Sequence, residues 1–482
     1  MPLILGTNSI KVTGYNIANS VRYNPGDSPN LALTFGTPTD NLKWTWSGWI
    51  KKCAFHSGDA LIIADCFASS PGRGAGPWIQ PNDFYRFRNW HTDADKGNLT
   101  TNQKLRDVSA WYHIVQVYDS ANATAGNRMR LYINGVEVTS FSTDTNPDED
   151  QASSMNSAIG HQIGSYRGTD SHWDGYLAEI VFIDGLALAP TSFGEFDEDS
   201  PAMWKPIDPS GLTFGDNGYW LDFENSAALG NDVSGNDNDW TPANLDATDQ
   251  ATDTPTNNFC TLNPVATTST IGDDLTFSEG NCKITNTSDG AWHPAIGTIA
   301  VNAGKWYCEF KCTTIGGASS YAVLDPIQYG DQVNFADASR GYSYGYNLGP
   351  AINDGNFDDN WGDSFTTGDI ISVAVDLDNM KLYFAKNGTW QDSGDPTSGS
   401  TGTGTHTYFG GGSNSTNAAG TDYYAFAAKI HNSSVTEANF GGCPSFAISS
   451  GNADGNGYGN FEYAPPSGYL ALCTKNLGSA GG

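Results

Sequence analysis

Hydrophobic and polar residues alternate along this chain with a period of two, and the alternation turns at the same two-residue signal in two places. The first is HIVQVYDS (His113 to Ser120) followed by RMRLYINGVEV (Arg128 to Val138); the second is ISVAVDLDN (Ile371 to Asn379) leading into KLYFAKNGTW (Lys381 to Trp390). Asn-Gly between alternating runs selects the type I′ turn, whose twist matches that of two antiparallel strands, so each copy predicts a β-hairpin. A two-residue loop at Asn134-Gly135 makes Ile133 and Val136 cross-strand neighbours. Met129, Leu131, Ile133, Val136 and Val138 then share a core face, with Arg130, Tyr132 and Glu137 on a wet one. In the second copy Ile371, Val373, Val375 and Leu377 line one face.

Length and composition extend this picture to the whole chain. A chain of 482 residues has room for about two or three domains, each with its own core. Its 56 glycines and only 16% charged residues describe short strands joined by turns. No stretch carries a 3.6-residue period and no apolar run approaches the roughly 18 residues of a membrane span, so no membrane partner is expected. The opening MPLIL lacks the basic flank and length of a signal peptide, and no Sec-type export is implied. The fold class that follows is all-β, with two antiparallel β-sandwich, jelly-roll-like domains in tandem and a turn-rich connector.

Charge decides against one class of partner. Asp+Glu 53 against Lys+Arg 23 leaves a formal net charge of −30, whose field repels phosphate backbones, so nucleic acid is not expected as a ligand. The acidity suits solubility in salty surroundings and, as a sharper alternative, Ca²⁺ held by loop carboxylates. The eight cysteines are scattered with no CxxC pair and no zinc spacing, and they are expected to be mostly free thiols.

In the first half, WTWSGWI (Trp44 to Ile50), SAWYHIVQVYD (Ser109 to Asp119), the first hairpin and GYLAEI (Gly175 to Ile180) resemble, in this order, the strands of laminin G-like domains of the concanavalin type. Trp44 and Trp46 alternate onto one face as a core layer, and Trp49 falls on the other unless Gly48 forms a bulge. The resemblance assigns 1–205 to such a sandwich and implies glycan or protein binding through rim loops, often beside Ca²⁺. Candidate contacts are Trp78 and Trp90 with their flanking segments, and the stretch His161, Tyr166, Arg167, Asp170, His172, Trp173 and Asp174, where aromatics interleave with polar groups. An aromatic face stacks on a pyranose while carboxylates and amides bind its hydroxyls.

Glycoside hydrolases share this sandwich, and the text nearest to their E-x-D-x-x-E strand is Glu195-Phe196-Asp197-Glu198-Asp199-Ser200. It lacks the final glutamate and runs into Pro201, which suits a linker. No nucleophile elbow, phosphate loop or metalloprotease helix occurs, so no enzyme is expected.

The connector, 206–259, holds one or two strands around Tyr219, Leu221 and Phe223, and an acidic loop in which Asp232, Asn236, Asp237 and Asp239 are candidate Ca²⁺ ligands. The alternative for that loop is a set of Asx turns. From 260 to 482, KWYCEF (Lys305 to Phe310), GYSYGY (Gly341 to Tyr346), TGDII (Thr367 to Ile371), YFAKNGTW (Tyr383 to Trp390) and Asn439-Phe440-Gly441 with Phe446 resemble a SPRY domain, a bent sandwich used in protein recognition. Its loop aromatics Phe357, Trp361 and Tyr408 are candidate contacts.

The order of these units resembles bacteriophage structural proteins. That resemblance implies a virion protein on a tail or capsid surface, a tail-fibre or adhesin-like component recognising a host-surface glycan or receptor. The alternative is a capsid-attached fibre or decoration protein binding other virion proteins, and a glycan-degrading enzyme is the disfavoured third class. A homo-oligomer, trimeric by analogy, is implied by the same resemblance.

Overall fold

The computed structural model describes residues 4–5, 14–55, 58, 60–69, 71–265, 275–287, 290, 292–326, 341–346, 351–353, 356–409 and 422–480. The chain forms two compact units, one of Val12–Thr256 and one of Asn257–Gly482 with Met1–Lys11. Almost all regular structure is β, arranged in antiparallel sheets, and the only α-helix among the described residues is Thr474–Ala480.

In the first unit two sheets face each other. One runs in the order Val136–Glu137, Met129–Ile133, Tyr112–Asp119, Lys43–Lys52, Gly175–Asp184, Ser20–Tyr23 and Gln250–Ala251. The other runs Phe141–Thr145, Ala94–Lys104, Phe84–His91, Gly72–Ile79, Ala64–Ser69, Gly160–Ile163, Asn30–Thr34 and Thr241–Ala243. The segment beyond residue 205 supplies strands to both: Tyr219–Leu221 pairs with Gly175–Asp184, and Thr241–Ala243 pairs with Asn30–Thr34. Trp44 and Trp46 lie in the core between the sheets, Trp44 stacked on Tyr118 at 5.7 Å. Trp49 takes the opposite face against His113, as unbroken alternation requires.

Both Asn-Gly hairpins are type I′ in backbone: Asn134 and Gly135 have φ of 49° and 75°, Asn387 and Gly388 of 47° and 79°. Ile133 pairs with Val136 and Lys386 with Thr389. Two expectations about the first hairpin need correction. Val136 is 59% exposed, because its strand is only two residues long and lies at the sheet edge. Tyr132 is buried rather than wet, since Phe193 and Phe214 cover the outer face of this sheet, where Tyr132 lies with Val115, Val117, Val181 and Ile183. Alternation defines two faces but cannot tell which outer face a later segment will cover.

The second unit repeats the two-sheet principle. Ile371, Val373, Val375 and Leu377 enter its core with Cys308, Cys312, Tyr344 and Phe384. The outer face of its larger sheet is covered too, where Tyr307, Ala374 and Tyr383 meet Phe461 and Tyr469. That covering segment is anchored by the buried Glu309 carboxylate. It accepts bonds from Tyr307 Oη (2.9 Å), Asn439 Nδ2 (3.1 Å) and the backbone N–H groups of Glu462 (2.9 Å) and Tyr463 (2.8 Å). All eight cysteines are buried and unbridged.

Gly48 shows how tightly the first core is built. A Cβ there would lie 2.6 Å from both Ile180 Cδ1 and the Trp46 ring, so the indole occupies the space a side chain would need. Gly48→Ala is expected to destabilise this unit by about 1–3 kcal/mol, the usual cost of overpacking. Urea unfolding followed by tryptophan fluorescence measures it, and a loss under about 0.5 kcal/mol would show that the core yields at this point.

Candidate functional site

The outer face of the sheet that contains Phe84–His91 is built by the same alternation. Tyr85 and Phe87 point into the core, so Arg86, Arg88 and Trp90 point away from it. On the neighbouring strands Ala75 and Ile79 are in the core while Trp78 lies outside, and Ala64 and Cys66 are in the core while Asp65 and Phe67 lie outside. Tyr166 and Arg167 arrive from the turn after Gly160–Ile163. Phe67, Trp78, Arg88, Trp90, Tyr166 and Arg167, with Arg73, Gly74 and Asp93, line a cleft of about 470 Å³.

Cations and rings alternate across the cleft. The Arg88 guanidinium lies 4.5 Å from the Trp90 ring centroid and 5.8 Å from that of Trp78, with Arg86 5.4 Å from Trp78. Arg167 is 3.6 Å from the Phe67 centroid and 4.6 Å from that of Tyr166. Gly74 keeps the floor open. A Cβ there would meet only the Cys66 carbonyl oxygen at 3.7 Å and Asp65 Oδ1 at 3.9 Å, ordinary contacts that leave room for a side chain. The next outward position, Gly76, cannot carry one: its φ is +153° and a Cβ would lie 2.1 Å from the Ala64 oxygen.

Asp65 lies beneath this floor, fully buried, and neither carboxyl oxygen makes a well-formed hydrogen bond. Burial pushes its pKa well above the usual carboxylate range, and the Cys66 and Ala75 amides with the charges of Arg167 and Arg88 offset only part of that.

The cleft unites four residues expected at a site, Trp78, Trp90, Tyr166 and Arg167, and leaves the others elsewhere. Trp78 and Trp90 sit on strands rather than rim loops, since their segments pair edge to edge, Gly74 with Trp90 and Trp78 with Arg86. Trp173 is in the core, and His161 stacks on Phe35 at 3.7 Å with both ring nitrogens on backbone carbonyls, so neither faces a ligand. His172 is half-buried with Nδ1 3.3 Å from the Pro29 oxygen, and Asp170 is exposed in the Tyr166 turn. Asp174, half-buried, has its pKa pushed up to about 7 by burial, with the Lys52 charge opposing.

In the second unit Trp361 is a core residue whose Nε1 donates to the Thr405 oxygen at 3.2 Å, and Tyr408 packs half-buried against that core. Phe357 lies in the strand Asn356–Asp358, with its side chain outside the described residues.

The acidic loop is a set of Asx turns. Asp232 accepts from the N–H groups of Trp220, Ser234 and Asn238 at 2.8–2.9 Å and from Ser234 Oγ at 2.8 Å. Asp239 accepts from Asp232 N at 2.8 Å, and Asn236 donates to Gly215 and Gly218 oxygens. Asp237 stands in the left-handed region at φ 57°. Among the described residues no group of three or more His, Cys, Asp or Glu side chains is arranged to hold a metal ion.

Two arrangements resemble catalytic text without its chemistry. Ser47 Oγ lies 2.9 Å from His113 Nε2, but His113 Nδ1 accepts from Trp204 Nε1 at 2.9 Å. The ring proton therefore sits on Nε2 and is donated to the serine, the reverse of what a general base requires. Burial lowers the basicity of that histidine to about 3. Asp197, in the Glu195 segment, accepts from Lys205 at 3.1 Å and from the Asp199 and Ser200 amides at 3.0 Å.

Arg73, Arg86 and Arg88 escaped sequence reasoning, although RFRNW (Arg86 to Trp90) carries the signal for two of them, since alternation there sets both arginines and Trp90 opposite Phe87. What no local text reveals is that Phe67 and Arg167, a hundred residues apart in sequence, meet there.

Asp65 generates a test of this electrostatic account. The folded protein holds its proton more tightly than the unfolded chain does, so its contribution to stability is greatest at acid pH. It is lost as pH rises from about 4 toward the raised value, at up to about 1.4 kcal/mol per pH unit. Asp65→Asn should therefore flatten the fall in stability between pH 4 and 7 relative to the parent, as read by urea unfolding at each pH. Equal slopes in the two proteins would contradict a proton held on Asp65.

Comparison with known protein families agrees with the architecture of the first unit. Residues 25–190 match the laminin G family described as the concanavalin A-like lectin/glucanases superfamily. No curated protein matches the chain in sequence. Among solved structures, the SPRY domain of human HERC1 is similar at 14% identity and a TM-score of 0.28, over 39% of this chain and 99% of that one. A heptameric SAP-like pentraxin from Limulus polyphemus is similar at 19% identity and a TM-score of 0.27, over 36% of this chain and 80% of that one. Residues 25–190 thus form a concanavalin-like, lectin-type domain.

Proposed function

We propose that the chain is a non-catalytic recognition protein whose first sandwich holds a glycan in the cleft between Trp90 and Tyr166, and that it serves as a tail-fibre or adhesin-like component of a virion. The cleft itself carries the glycan reading. It offers aromatic rings beside guanidinium groups on an uncovered sheet face, and a pyranose needs both an apolar platform and directional donors. The concanavalin-like, lectin-type domain that houses it supports the same reading.

The absence of catalysis in this proposal is supported by His113, whose tautomer points its proton at Ser47, and by Asp197, whose carboxylate is committed to Lys205 and turn amides. The virion setting draws on the ordered sequence resemblance in both halves, which pairs two recognition-type sandwiches. Modest affinity at each cleft suits such a role, because several copies on one particle multiply it through avidity.

Calorimetric titration with a panel of host-surface oligosaccharides tests the cleft. Gly74→Trp, which has room for its Cβ, should fill the space and abolish binding while leaving the thermal midpoint within about 2 °C. Trp90→Ala should weaken binding about tenfold, the scale of one lost stacking platform. Unchanged binding in both variants would remove the glycan reading of this cleft. Mass spectrometry of purified particles tests the setting, which requires stoichiometric copies of the chain.

A further inference from the structure

The cleft carries more positive charge than sugar hydroxyls require. Arg73, Arg88 and Arg167 line it, in a chain whose formal net charge is −30. Screening over about 8 Å at physiological salt lets these nearby groups, rather than the distant carboxylates, set the potential at the cleft.

The donors of these arginines are largely unspent. Arg88 gives its Nε–H to Asp95 at 3.4 Å, whereas neither Arg73 nor Arg167 makes an ion pair or hydrogen bond with any described residue. A guanidinium has five N–H donors in one plane, and stacking on a ring uses its face and leaves that plane free. Arg167, stacked on Phe67 and Tyr166, is thus held in place before any ligand arrives. Three acidic groups lie near this charge. Asp95 pairs with Arg86 at 3.6 Å and with Arg88 at 3.4 Å, Asp93 on the rim accepts the Gly72 N–H at 2.7 Å, and burial disfavours the charged form of Asp65 beneath the floor. Arg73 and Arg167 are left without a carboxylate partner among the described residues.

Building on the glycan reading above, we infer that the ligand is an anionic saccharide, its carboxylate or sulfate ester gripped by Arg73 and Arg167 with Arg88 beside them, and its rings stacked on Trp90 and Tyr166. A carboxylate or sulfate matches the guanidinium fork in two parallel hydrogen bonds, the geometry that lysine cannot offer. An anionic polymer without sugar rings would leave the aromatic platforms unused.

Calorimetric titration of the whole chain with two matched pairs of probes tests this. One pair is trigalacturonate and its full methyl ester, which keeps ring and linkage and removes only the charge. The other is a sulfated dextran oligosaccharide and its unsulfated parent. At least one charged form is expected to bind about tenfold or more tightly than its neutral partner, and the pair that responds identifies carboxylate or sulfate as the group recognised. Arg73→Gln and Arg167→Gln should each erase about tenfold of that preference. Arg73→Gln removes no ring contact, so it stays informative if the Arg167 variant is perturbed.

Equal binding of charged and neutral forms would overturn the anionic assignment while leaving the glycan reading intact. Failure of both charged forms would overturn it as well, and binding of neutral glycans that Gly74→Trp abolishes would then show the glycan reading surviving without it.

Discussion

Each strand sends alternate side chains to opposite faces, so a two-sheet sandwich has four faces and can bury only two of them against each other. The remaining pair must be covered by further chain or adapted to water. In the first unit Phe193 and Phe214 cover one of these outer faces. On the other, rings and guanidinium groups alternate around a glycine floor, and the candidate site is that exposed face. The core therefore decides where recognition can occur, because Tyr85 and Phe87 point inward only if Arg86, Arg88 and Trp90 point outward.

The chemistry of the cleft follows from what lies under it. Gly76 lets two strands approach so closely that a Cβ would collide with the Ala64 oxygen, and Gly74 leaves an opening above Asp65. A charged Asp65 would cancel part of the arginine field, and burial disfavours that charged form beneath a cleft lined by Arg73, Arg88 and Arg167 in a strongly acidic protein. Stacking of Arg88 and Arg167 on neighbouring rings fixes the donors at little further entropic cost when a ligand binds.

Much of the fold was legible in the sequence because its strongest signals are local. Asn134-Gly135 and Asn387-Gly388 set turn type and register, and the alternation of Trp44 and Trp46 placed both in a core layer. Tyr132 and Val136 were misjudged since coverage of an outer face is settled by distant segments. The site was half legible for a similar reason. Tryptophan and tyrosine stand out in any text, so Trp78, Trp90 and Tyr166 were singled out, but so were Trp173 and Trp361, which fill cores. Arg73, Arg88 and Asp65 acquire meaning only once strand pairing sets them around one cleft, and that pairing joins segments up to about a hundred residues apart.

The central claim is one of location, that recognition occurs on the sheet face beside the Tyr166 turn and not on the other loops. Hydrogen–deuterium exchange of the whole chain, with and without a saccharide it binds, tests this most directly. The account predicts added protection at 65–79, 84–91 and 164–168, with none at 170–174, 232–239 or 356–361. Protection confined to those loops, with the sheet face unchanged, would contradict it.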